Sequence, residues 1–150
     1  MKSRIFTPGP TLLPEKVKLS QARDIIHHRT PEFSEIFREV REGLKYVFQT
    51  SNEVFIFAAS GTGAMEGVMT NLLSPGEQIL VVKGGKFGER WAEIGKALGL
   101  EVISIDVEWG KAPDPLQIED VLHTNKKIKA VFTQLVETST GVRYDVEGIS

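Results

Sequence analysis

Short apolar runs alternate along this chain with stretches whose apolar residues recur at helical spacing, and that alternation constrains the fold more than any other feature. The runs are VFIFAA at residues 54–59, ILVV at 79–82, VISI at 102–105 and AVF at 130–132. Runs apolar at successive positions suit strands buried on both faces, because a half-exposed strand alternates apolar with polar. Between them lie three helical stripes: Ala64, Met65, Val68, Met69, Leu72 and Leu73; then Phe87, Trp91, Ile94 and Leu98; then Leu116, Ile118, Val121 and Leu122. Ser74-Pro75-Gly76 and Gly99 stop the first two, and the Asp114-Pro115 cap opens the third. The pattern predicts an α/β fold with a mostly parallel sheet flanked by helices. Right-handed crossovers would bring the loops after Ala59, Val82 and Phe132 to the carboxyl edge of the sheet, where open α/β sheets bind ligands.

Upstream, Thr30 can cap and Pro31 suits a first helical position, and Phe33, Ile36, Phe37, Val40, Leu44, Val47 and Phe48 fall on one helical face. Residues 6–30 hold three of the seven prolines and little periodicity, so they read as an irregular arm with room for one short helix. The expected organisation is an amino-terminal arm over residues 1–30 and an α/β domain over 31–150. The final six residues, from Asp145, read as the opening of another helix, so a further cycle of the same fold is expected to follow.

Eighteen basic against twenty acidic residues leave a net charge of -2, so no general basic field favours nucleic acid or an anionic membrane. A local anion site stays open. With no cysteine, the 150 residues offer no disulfide, thiolate nucleophile or cysteine-held metal, which suits a reducing compartment, and cytoplasm is the expectation. Prolines 8 and 10 interrupt the start where a signal peptide needs an apolar stretch, and no apolar run approaches the roughly 20 residues that span a bilayer.

The three edge loops carry the chemistry. Ser60-Gly61-Thr62-Gly63 joins a buried run to a helix start, where glycines turn N–H groups toward one point, the helix adds partial positive charge and two hydroxyls can donate. It would hold a phosphate, although it is neither a Walker loop nor a dinucleotide fingerprint; the plain alternative is a glycine-rich connection with a capping serine. In the second loop, Gly84 and Gly85 place Phe87 at a helix start, where its ring could stack on a flat heterocycle. Phe87 also continues the Trp91, Ile94, Leu98 stripe, and core packing is the alternative there. The third, Glu137-Thr138-Ser139-Thr140-Gly141, offers hydroxyls and a carboxylate to a ligand or to the next turn.

Taken in order, Pro8-Gly9-Pro10, the Ser60 to Glu66 segment, Gly85-Lys86-Phe87-Gly88-Glu89-Arg90 and Glu137-Thr138-Ser139-Thr140-Gly141 resemble the class V aminotransferases. The branch is that of alanine–glyoxylate, serine–pyruvate and archaeal-type aspartate aminotransferases, and the resemblance runs from Phe6 to the end. It implies a fold-type-I enzyme using pyridoxal 5′-phosphate, with a large domain, a smaller carboxyl-terminal domain and a homodimer sharing its active sites. The implied reaction is transamination between a small amino acid (alanine, serine or aspartate) and a keto acid such as glyoxylate, pyruvate or 2-oxoglutarate.

By the same resemblance Ser60, Gly61 and Thr62 hold the cofactor phosphate, Phe87 covers its ring and Thr138 contacts it near the ring hydroxyl, while Glu137 and Ser139 shape the loop. His28 and Arg29 lie in a stretch, His27 to Thr30, that resembles a segment helping to bind the substrate's acidic side chain, and Gly9 lies in one that resembles the active-site mouth; Arg29 suits a carboxylate, and pairing with Glu32 or another surface acid is its alternative. Relatives place an aspartate under the pyridine nitrogen and a cofactor-bearing lysine further along, and neither position lies within these residues. Lys83, Lys86, Lys126, Lys127 and Lys129 stand in the wrong context. No catalytic residue and no metal site is therefore assigned, and the 150-residue chain alone is expected to be inactive. Two other readings stay open: desulfurase or epimerase-like chemistry on the same scaffold, and a non-catalytic aminotransferase-like interaction module.

Overall fold

A strand sealed from solvent on both faces organises the larger part of the chain. The computed structural model describes residues 4–150, and the chain divides into two units, Met1–Phe57 and Ala58–Ser150. In the second unit, β1 (Gln78–Lys83) is flanked by β2 (Glu101–Asp106) and β3 (Ile128–Phe132), all parallel, in the order β2-β1-β3. Ile79, Leu80, Val81 and Val82 are each 0% exposed, which is why this run is apolar at every position. Leu80 stands in register with Ile103 on one side and Val131 on the other.

Because the order reverses after β2, two crossovers of one hand must use opposite faces, and the core divides accordingly. On one face Met69 of α3 (Gly61–Leu72) and Ala92 of α4 (Lys86–Ala97) pack with Ile79, Val81, Leu100 and Phe132. On the other, Ile118 of α5 (Pro115–Thr124) and Tyr144 pack with Leu80, Val82 and Ile105. The reversal also sets the topological switch point at the carboxyl ends of β1 and β3. Helix α4 lies tight against β1: a Cβ on Gly88 would come within 2.5 Å of the Val82 carbonyl oxygen and one on Gly95 within 2.9 Å of Ile79 Cδ1. Asp114 caps α5 through the Leu116 N–H at 3.0 Å, and Gly99 ends the α4 connection at φ +76°, both as the sequence predicts.

Two expectations are corrected. Residues 54–59 form no strand: no ladder partner engages them among the described residues, and Phe55 and Phe57 are exposed. An apolar run becomes a strand only where a neighbour takes its backbone N–H and C=O groups. The third edge loop is instead more ordered than its composition suggests, with β4 (Val136–Glu137) and β5 (Val142–Arg143) forming a short antiparallel hairpin whose turn passes through Gly141 at φ +75°. The chain closes on α6 (Val146–Ile149), capped by Asp145 at the Gly148 N–H.

The first unit carries α1 (Glu15–Gln21) and α2 (Pro31–Phe48). Thr30 Oγ1 accepts from the Phe33 N–H at 3.3 Å and Pro31 follows it, the start read from the sequence. No residue of α2 is buried, and Ile36, Phe37, Val40, Val47 and Phe48 on its apolar face are exposed. Arg41 and Lys45 both pair with Glu53 beyond the helix.

Gly88→Ala would drive a methyl group into β1 backbone that has no room to yield, and overpacking of this kind is expected to cost about 2 to 3 kcal/mol. Gly43→Ala, in the α2 interior with nothing within 4 Å of its Cβ, is expected to stabilise by about 0.5 to 1 kcal/mol. Thermal unfolding of the two variants checks both signs.

Candidate functional site

The start of α4 cannot cap itself. Its N-cap is Gly85, which has no side chain, so the first N–H groups of the helix need partners from elsewhere. The β4–β5 hairpin, some fifty residues further along, supplies all three. Ser139 Oγ accepts from the Lys86 N–H at 3.0 Å, Glu137 Oε1 from the Phe87 N–H at 3.3 Å and Glu137 Oε2 from the Gly88 N–H at 3.0 Å. Ser139 in turn donates its hydroxyl to Glu137 Oε1 at 2.7 Å and its N–H to the same oxygen at 3.2 Å. Glu137 is 0% exposed. Burial pulls its carboxyl upward, but the hydrogen bonds from the Ser139 side chain and from the Gly88, Ser139 and Phe87 backbone outweigh it, and the group is held below the ordinary carboxylate value.

Small residues make room for this clamp. A Cβ on Gly85 would lie 2.6 Å from Glu137 Cγ and Cδ, and one on Gly84 would collide with the Tyr144 hydroxyl. Tyr144 is buried, with its hydroxyl unpartnered among the described residues, and burial, followed by the Glu137 charge, raises its pKa.

Helix α3 begins differently. Ser60 Oγ accepts from the Gly63 N–H at 3.4 Å, and Thr62 Oγ1 accepts from Arg90 Nη1 at 3.0 Å. Neither hydroxyl donates a bond among the described residues, and as the first two helical positions Gly61 and Thr62 have N–H groups with no intrahelical partner. A Cβ on Gly61 would meet nothing within 4 Å, so the surface over the helix start is open. Helices α4 and α5 both start on a carboxylate, Glu137 and Asp114; α3 starts on a neutral serine with two N–H and two O–H donors to spare. Of these three helix starts, this one suits an external anion, because negative charge already fills the other two.

Phe87 is the second residue of α4, is 40% exposed and stands outside the cluster that takes Trp91, Ile94 and Leu98, so the core alternative does not describe it. Thr138 is exposed in the hairpin turn next to Glu137. The hydrogen bonds of Arg90 to Thr62 and of Glu137 and Ser139 to α4 thus join the loops carrying Ser60, Gly61, Thr62, Phe87 and Thr138. Gly9, His28 and Arg29 lie in the other unit, where the His27 and His28 rings stack at 4.6 Å and the Arg29 N–H donates to His27 Nδ1 at 3.1 Å. No ion pair between Arg29 and Glu32 occurs among the described residues. Lys83 is held by Asp106 at 2.8 Å and Lys86 by Glu89 at 2.6 Å. Sequence reasoning missed the Arg90–Thr62 bond and the buried Tyr144; a Gly-Gly pair at a helix start, which cannot cap itself, was the available signal for the clamp.

A family model described as aminotransferase class-V matches residues 16–150. The chain belongs to this family. Among its class-V and other relatives, a protein of Anabaena cylindrica named soluble hydrogenase 42 kDa subunit is 48% identical over 99% of this chain and 39% of its own length. The L-aspartate–glyoxylate aminotransferase of Paracoccus denitrificans is 35% identical over 97% of this chain and 37% of its own. The crystal structure of a subgroup IV aspartate aminotransferase from Thermus thermophilus superimposes with a TM-score of 0.88 at 37% identity, over 98% of this chain and 41% of that one. The fold is therefore that of the fold-type-I aminotransferases, and the chain spans about 39% of the length of its curated relatives.

Glu137→Gln replaces one acceptor oxygen with an NH2 that faces backbone donors, and at neutral pH it is expected to cost about 2 to 4 kcal/mol. Because the folded pKa lies below the unfolded one, the carboxylate's contribution is full above the unfolded value and is lost as pH falls through the folded one. The variant should therefore show a lower Tm at pH 7 and a flatter fall in Tm between about pH 5 and pH 3. Melting curves across that range test both effects.

Proposed function

We propose that the full-length protein is a pyridoxal-phosphate-dependent aminotransferase acting on a small amino acid and a keto acid. The observation that carries the reading is the α3 start, where Ser60, Gly61 and Thr62 leave two N–H and two O–H donors unused. A phosphate dianion accepts hydrogen bonds and donates none, so it is complementary to those donors. Phe87, exposed at the adjoining helix start, would lie over the pyridine ring, and Thr138 beside the ring hydroxyl. Gly9, His28 and Arg29 would serve the substrate, Arg29 with a fork suited to a carboxylate. Bound there, the cofactor would supply an electron sink for charge at the substrate's alpha carbon.

These residues hold and orient, and none of them is placed to move the proton at that carbon. Relatives named for L-aspartate–glyoxylate and serine–glyoxylate transfer support aspartate or serine as donor and glyoxylate as acceptor; alanine as donor and pyruvate or 2-oxoglutarate as acceptor are proposed beside them. The hydrogenase name belongs to the Anabaena relative; in this chain the α3 start suits phosphate. No described helix is long and apolar enough to cross a membrane; we place the protein in the cytoplasm. The match to the class-V family supports a homodimer.

Titration of the apo full-length protein with pyridoxal 5′-phosphate, followed by visible absorbance, should show saturable binding, with amino transfer between the named donors and acceptors. Thr62→Val, which keeps shape and removes a donor, is expected to weaken cofactor binding by about tenfold. Binding without amino transfer, but with desulfuration or epimerisation, would shift the reading to those chemistries; a full-length protein that does not bind the cofactor would be a non-catalytic module.

A further inference from the structure

Arg90 lies three residues beyond Phe87 on α4, and its guanidinium crosses to the start of α3 to donate from Nη1 to Thr62 Oγ1 at 3.0 Å. A hydroxyl has one proton and two acceptor lone pairs, and this bond uses an acceptor position. That leaves Thr62 its proton and one lone pair; the guanidinium has no acceptor to take the proton, so the proton is free for an anion over the open side of the helix start. The guanidinium is permanently charged, and its other contact, Nε to Glu93 Oε2 at 3.4 Å, is a solvent-exposed pair of the weak kind. The acid next to it in sequence, Glu89, is engaged by Lys86 at 2.6 Å.

We infer that Arg90 is a positioning residue for the cofactor phosphate, fixing Thr62 as a hydrogen-bond donor and adding permanent positive charge beside the α3 N-terminus. The inference rests on the reading of that terminus as the phosphate site. It gives a reason for arginine at this position, since a lysine would bring the charge without the planar fork that reaches Thr62 while keeping donors free. It also makes the two helix starts interdependent: α4, seated by Glu137, carries the arginine that completes α3.

The test compares pyridoxal 5′-phosphate with pyridoxal, which lacks the phosphate, on the apo full-length protein by equilibrium titration. Arg90→Gln is expected to weaken the phosphorylated ligand by about tenfold and to change pyridoxal by less than about twofold. Arg90→Lys should fall between. Because Arg90 acts partly through Thr62, Arg90→Gln added to Thr62→Val should cost less than the product of the two single losses. An equal loss for both ligands in Arg90→Gln would mean that the residue only ties α4 to α3, and would overturn the inference. If Thr62→Val lowers the discrimination and Arg90→Gln does not, the inference about Arg90 fails and the phosphate site stands. A wild-type protein that binds both ligands equally would remove the phosphate reading itself.

Discussion

A buried carboxylate with four donors around it holds the carboxyl edge of this sheet together. Glu137 comes from a hairpin that follows β3, and its partners include the first turn of the helix that follows β1. The switch point of the sheet lies between those strand ends, so the clamp closes the place where the topology opens a crevice. A buried carboxylate is costly unless fully hydrogen-bonded, and here the helix N-terminus meets the need with N–H groups that would otherwise go unpaired. Each part explains the other: Gly85 cannot cap because a side chain there would strike Glu137, and Glu137 can be buried because Gly85 leaves those N–H groups free.

Charge separates three helix starts that look alike in outline. Two carry a carboxylate from the chain itself, one from fifty residues away and one from the residue before the helix. The third carries neutral hydroxyls, both used as acceptors by the protein and both left with a proton to give. Of these three starts, charge placement leaves α3 the one open to an anionic group.

Much of the fold is legible in the sequence because burial on both faces leaves an unmistakable mark. The run at residues 79–82 is apolar throughout, and every one of its side chains is sealed. The caps at Thr30 and Asp114 are local, within three residues of the groups they satisfy, and short-range chemistry shows in a linear sequence. Residues 54–59 show the limit: the composition is that of a strand, but a strand is defined by its neighbour, which a run of residues does not specify. The site divides in the same way. Glycines and hydroxyls at the edge loops are visible, and the family resemblance supplies the shaping role of Glu137 and Ser139. The bond from Arg90 to Thr62 and the approach of Tyr144 to Gly84 join positions 28 and 60 residues apart, and no local pattern encodes them.

The most direct measurement is a crystal structure of the full-length protein with pyridoxal 5′-phosphate bound. Phosphate oxygens are expected at about 2.7 to 3.1 Å from the Ser60 and Thr62 hydroxyls and the Gly61 and Thr62 N–H groups, with the Phe87 ring against the pyridine and Glu137 still seated on α4. A phosphate bound at the start of α4 with Glu137 displaced, or one held away from α3, would contradict this placement.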